Sequence, residues 1–229
     1  MNPAKIRHGT VFWCATVAFF LSTGEINAAT LALFNTGVNG SGTAWGSGGV
    51  TDIHYNLVLQ PGTGGVAQTV TDTTYPFGPW LANNSGSRWI GPAADGFGPA
   101  GFYAYRQTFF VPSSALLSSM FITGRWATDD TGTNIRINGT PTGNISTSNS
   151  TLTPFTISSG FVHGFNTLDF VVNNAGFSPF TNATGLRVDD IYGAYQAFPV
   201  PEPQALVLAV SAIAIGFASR RRCPTARSD

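Results

Sequence analysis

Phe102-Tyr103-Ala104-Tyr105-Arg106-Gln107-Thr108-Phe109-Phe110-Val111, closed by Pro112, is the stretch that decides the fold. Aromatic and β-branched residues dominate it, large side chains recur at Tyr103, Tyr105 and Phe109, and the proline ends it. It reads as one long strand. Working outward, further strands are expected at short intervals over residues 119–127, 134–137, 155–157, 167–173 and 186–193. Upstream, residues 53–60 and 66–70 read as strands around the turn Pro61-Gly62-Thr63-Gly64-Gly65. Asn138-Gly139 tolerates positive φ at both central positions of a turn, so a tight hairpin is expected there. Only residues 113–119 suggest a helical turn. Many short strands punctuated by Gly, Pro and Asn predict an all-β chain folded as an antiparallel β-sandwich.

The block from Arg88 to Asp190 carries a resemblance. A strand running into Trp126-Ala127-Thr128-Asp129-Asp130, the hairpin Ile135-Arg136-Ile137-Asn138-Gly139 and the strand Asn166-Thr167-Leu168-Asp169-Phe170-Val171-Val172 occur in that order. The order resembles that of the galactose-binding-like jelly rolls, found in sugar-binding modules and in accessory domains of glycosidases. The resemblance implies a jelly-roll sandwich. It implies little about activity, because one fold hosts many functions.

Both ends of the chain read as addresses. Lys5 and Arg7 precede the apolar stretch Val11 to Leu21, and the small residues Ala28 and Ala29 offer a cleavage point. Residues 1–29 therefore read as a secretory signal peptide, exported through the Sec translocon. At the other end, Val200-Pro201-Glu202-Pro203 stands before an apolar run, Ala205 to Ala218, and the basic cluster Arg220-Arg221-Arg222. The prolines hold the motif extended and accessible. As a helix, residues 204–219 would span roughly 24 Å, slightly less than a hydrocarbon core of about 30 Å. The arginines favour retention of the tail end on the cytoplasmic side.

This three-part tail, residues 200–229, resembles the PEP-CTERM sorting signal of Gram-negative bacteria, the proposed mark of exosortase substrates. The resemblance implies transient anchoring in the inner membrane and processing near Val200 to Pro203 by an exosortase-type membrane transpeptidase. Release to the cell surface or extracellular matrix would follow. The alternative is an ordinary membrane anchor that is never cut.

Between the two signals, residues 30–199 form one expected domain. Both cysteines, Cys14 and Cys223, lie outside it, so it holds neither a disulfide nor a thiolate metal site. Five arginines against eight aspartates, with no lysine or glutamate, give 5 − 8 = −3. A chain so poor in positive charge has no electrostatic footprint for nucleic acid.

Candidate chemistry is sparse. Glycoside hydrolysis ordinarily needs two carboxylates across a cleft. Asp129 and Asp130 are adjacent, and on a regular strand they would face opposite sides without pairing; turn chemistry before Thr131-Gly132 is the simpler reading. His54 and His163 are single, and neither sits by a Gly-x-Ser-x-Gly elbow. His54 reads as a strand residue facing solvent or a hydrogen-bond partner. Structural calcium on Asp52 with Asp189 or Asp190 is a further reading, with solvated carboxylates preferred. No catalytic residue and no metal ligand is assigned.

Aromatic residues offer the best clue to binding. Trp89 and Trp126 sit in strand-like runs and are expected in the core. Trp45 and Trp80 lie in loops, where they are expected either to stack on sugar rings, with Asp129 and Asp130 as polar partners, or to lid one end of the sandwich. The resulting expectation is a secreted, non-enzymatic envelope or extracellular-matrix protein, with extracellular polysaccharide as a weak contact. A dedicated carbohydrate-binding module is the alternative, and a hydrolase with an unrecognised site stands behind it.

Overall fold

A computed structural model describes residues 27–62, 65–72, 78–176 and 182–198. The sorting motif Val200 to Pro203, the apolar run after it and Arg220 to Arg222 lie outside the described residues, as do residues 1–26 and Tyr75.

Eleven strands and no helix occur among the described residues: β1 (Asn27–Thr30), β2 (Asn56–Leu59), β3 (Gln68–Thr69), β4 (Ile90–Gly91), β5 (Gly101–Val111), β6 (Ala115–Asp129), β7 (Thr131–Ile137), β8 (Thr140–Pro141), β9 (Thr153–Ile157), β10 (Gly164–Asn174) and β11 (Gly185–Ala197). They form two antiparallel sheets. One runs β3-β4-β11-β6-β9, with β1 also on β11; the other runs β2-β5-β10-β7-β8. The two-fold alternation of side chains on a strand explains the layering. Tyr103, Tyr105, Phe109 and Val111 of β5 point inward, with Leu168, Phe170 and Val172 of β10, and meet Met120, Ile122 and Trp126 of β6 and Leu186 and Val188 of β11. Phe170 is the hub, its ring 5.7 Å from those of Trp126 and Phe155 and 6.0 Å from Tyr55. Trp89 and Trp126 are both fully buried, as expected of strand-run indoles.

Asn138 and Gly139 hold φ of 51° and 81°, and Ile137 pairs with Thr140 across them. The two-residue turn is the one expected. An added Cβ at Gly139 would meet nothing within 4 Å, so a substitution there is strained through the backbone alone. Gly139→Val is expected to lower stability by about 1–3 kcal/mol, read as a fall in melting temperature. An unchanged midpoint would mean that the hairpin does not depend on this turn.

Three expectations of local structure, over residues 113–119, 53–60 and 66–70, are corrected. Residues 113–119 contain no helical turn: Ala115 N donates to Pro112 O at 3.0 Å, a β-turn, and β6 starts at once because Ala115 and Leu116 pair with Ala197 and Gln196. The strand expected over 53–60 shrinks to β2, because the Asp52 carboxylate accepts from His54 N at 2.8 Å and Tyr55 N at 2.9 Å and bends the chain. The strand expected over 66–70 shrinks to β3, two residues long. The boundary placed after Ala28 or Ala29 falls inside β1, whose residues pair with Ala194 to Ala197.

Candidate functional site

On β6 the residues that alternate with the core, Arg125, Ala127 and Asp129, face away from it, as do Gly185, Arg187 and Asp189 of β11. The pairing register sets them opposite one another: Arg125 with Asp189, Ala127 with Arg187, Asp129 with Gly185. The loop leading from Trp80 to Arg88 folds over this face. Trp80 stacks on Trp89 with ring centroids 4.2 Å apart, and both pack with Val70, Ala127 and Ala183 in a second small core. The approach requires a glycine at 185, where a Cβ would lie 2.7 Å from the Trp80 ring.

That cover explains why charges are buried outside the main core. Arg187 is 1% exposed. Its Nε donates to Ser87 Oγ at 2.9 Å, its Nη1 donates to the Ala82 carbonyl, and its Nη2 lies 3.5 Å from Asp189 Oδ2. Burial pulls the guanidinium pKa below its ordinary value, Asp189 opposing and Arg125 adding. Asn84 Nδ2 donates to Asp189 Oδ2 at 3.1 Å, and Arg125 Nη2 lies 3.7 Å from the same oxygen while donating to Asp190.

Asp189 and Asp190 thus reach one guanidinium, although neighbours on a regular strand face opposite sides. A bulge between Asp189 and Tyr192, with Asp190 at φ 52°, turns the second carboxylate back toward Arg125. Beside this cluster an opening of about 420 Å³ is lined by Leu81, Asn84, Arg125, Thr151, Arg187 and Asp189, among others. Two arginines, one aspartate, an amide and the hydroxyls of Ser150 and Thr151 around one opening suit hydroxyl-rich ligands. Donors and acceptors alternate there and the charges of Arg125, Arg187, Asp189 and Asp190 cancel.

The residues singled out as sugar contacts do not line it. Trp80 is 4% exposed, and its Nε1 donates to Asp129 Oδ2 at 2.6 Å. It is a core indole that offers no open ring face. Trp45 is half-buried, its carbonyl accepting from Arg88 Nη1 at 3.0 Å and its indole N–H buried with no partner. Asp129 and Asp130 do interact, contrary to expectation. They are joined by a cis peptide bond, and Asp130 Oδ2 accepts from Ala175 N at 2.7 Å. Neither lines this opening or the groove described below, so the pair stands as packing and turn chemistry.

Asp129 titrates unusually. Burial pushes its carboxyl from 3.8 up to about 6, Trp80 opposing and Asp130 adding. The folded form therefore holds this proton more tightly than the unfolded chain does. Sign follows from linkage: the group favours folding below about pH 4, and its cost grows to about pH 6 and then stays constant, up to about 3 kcal/mol at 1.4 kcal/mol per unit. Asp129→Asn keeps an acceptor for Trp80 and removes the charge. Its melting temperature relative to the parent is expected to be several degrees higher at pH 7 than at pH 4, by calorimetry. Equal differences at both pH values would show that Asp129 is not held protonated by the fold.

The remaining candidates are structural. Asp52 is tied to three backbone N–H groups, the third being Gly37 N at 2.7 Å, and burial raises its pKa against them. Among the described residues no three His, Cys, Asp or Glu side chains gather as metal ligands; Asp52 is held by backbone N–H groups, Asp189 by Arg187 and Asp190 by Arg125. His54 stacks on Phe34 at 3.7 Å and its Nε2 lies 3.2 Å from Asn39 O, in a bend before β2 rather than in a strand. His163 Nε2 lies 3.0 Å from Ala115 O. A shallow groove of about 300 Å³ runs between Phe34, Ile53, His54 and Asn56 on one side and Thr108, Phe110 and Phe165 on the other. Compared with known proteins, the chain matches no family model, no curated protein and no solved structure.

Proposed function

We propose that this chain is an exported, non-enzymatic envelope or extracellular-matrix protein, whose β-sandwich is carried to the surface by the tail from Val200 to Arg222. The observation that carries the reading is the order of that tail: Val-Pro-Glu-Pro, an apolar run of membrane scale and three arginines. An exosortase-type transpeptidase is the partner this implies. The inventory of the domain fits a structural role, since its charged side chains are largely spent on one another: Arg106 grips Asp169 through two hydrogen bonds of 2.6 and 2.7 Å, and Arg88 holds Asp72 at 2.5 Å. Protease shaving of intact cells tests the reading. Removal of the domain from the outside is expected, and a domain protected until lysis would sink it.

A second reading, carbohydrate contact, is favoured by the opening beside Arg125 and Asp189. There Asn84, Thr151 and the two charged groups present the alternation of donors and acceptors that sugar hydroxyls need. Glycan-array binding separates the readings. Retention of a neutral glycan, weakened by Arg125→Ala, would make the domain a binding module; no retention leaves the structural role.

A further inference from the structure

We propose that the end of the sandwich from which both chain termini leave is a membrane seat, an aromatic rim that rests in the lipid interface while the tail is anchored. This rests on the tail reading above. Asn27 pairs with Ala197, so the described chain begins and ends side by side, and Phe198 N donates to Ser114 O at 2.8 Å in the turn between β5 and β6. The apolar segment Val11 to Leu21 and the apolar run Ala205 to Ala218 therefore both attach to this one end.

Among the described residues the same end carries no fixed charge. Residues 107–124, 137–168 and 191–199 hold no Asp, Glu, Lys or Arg. On β5 and β10 the charges nearest the end are Arg106 and Asp169, each five residues from its strand terminus, and on β6 and β11 they are Arg125 and Asp190, farther still. At about 3.3 Å per residue, a band roughly 17 Å deep is uncharged on every one of the four long strands. Such a band can approach a bilayer without stripping water from an ion.

What the end presents instead is large apolar side chains among neutral polar ones. Phe165 is 76% exposed, Phe110 55%, Phe198 53% and Val162 48%. Phe110 and Phe165 stand opposite each other across β5 and β10, their rings edge to face at 5.3 Å. Side chains this exposed are not needed by the core, which takes Phe109 and Val111 from the same strand. Rings held at the rim of an uncharged surface beside an apolar anchor are where interfacial aromatics gain most. The occupant is the lipid surface itself, since a tail that enters the bilayer a few residues after Phe198 leaves this end facing it.

The test uses the full chain in phosphatidylcholine vesicles, with Cys14 and Cys223 replaced by serine and an environment-sensitive fluorophore placed on Phe165→Cys, Val162→Cys or Ala100→Cys. Ala100 is exposed at the far end of β5. Lipid-borne quenchers are expected to dim the labels at 165 and 162 by roughly twofold or more, as for groups about 5–10 Å into the headgroup boundary, and to spare the label at 100. Vesicle-bound protein with all three labels equally unquenched would overturn the seat and leave the tail as an anchor. Blue-shifted labels at 165 and 162 without quenching would also overturn it, showing that a second copy covers the rim. Failure of the chain to associate with vesicles would remove the anchor and the seat together.

Discussion

Arg187→Ala is expected to destabilise the domain by about 3–5 kcal/mol, the range for removing one partner of a buried ion pair. The arginine is 1% exposed and its partner Asp189 3%, so the substitution leaves a buried carboxylate with Asn84, the Asp190 N–H at 3.1 Å and the more distant Arg125. It also strips the donors from Ser87 Oγ and the Ala82 carbonyl. The loop over the outer face of β11 loses one of its ties to the sheet, those from Trp80 and Asn84 remaining. Denaturant midpoints of the parent, Arg187→Ala and the double variant Arg187→Met with Asp189→Leu check this. The double variant is expected to recover part of the loss, because no charge remains buried. A loss below about 1 kcal/mol for Arg187→Ala would show that the cluster is solvated and contributes little.

The second large effect concerns the tail and is qualitative. Changing Pro201, Glu202 and Pro203 alters only the peptide a processing enzyme would grip, so the protein is expected to stay membrane-bound at full length. Removing Arg220, Arg221 and Arg222 weakens the stop and the topology signal instead, so the short apolar run slips through or mis-orients. The two variants should therefore fail differently, seen by fractionation and immunoblot. A motif variant that is released and trimmed like the parent would make the tail a plain anchor.

How far the fold was legible depends on strand length. β5, β6, β10 and β11 are long enough for alternation to show, and Asn138-Gly139 announces its hairpin through turn chemistry. β4 and β8, two residues each, have no period to read, and β1 lies where the signal peptide was expected to end. At the candidate site the limits are of another kind. Trp80 reads as a loop aromatic, and only the folding of its loop over Ala127 and Gly185 makes it a core residue. Arg125 lies on β6, whereas Arg187 and Asp189 lie two residues apart on one face of β11. Their meeting depends on the register of β6 with β11 and on the bulge at Asp190, neither of which local residue patterns encode. Arg187 within the apolar run Leu186-Arg187-Val188 was the available signal: an arginine flanked by inward-facing residues needs a partner on the opposite face.

The mass of the exported protein's C-terminal peptide tests the central claim most directly. If the tail sorts and is processed, the mature chain ends near Val200 to Pro203 and lacks the apolar run and its arginines. A surface-exposed protein that still ends at Asp229 would contradict it.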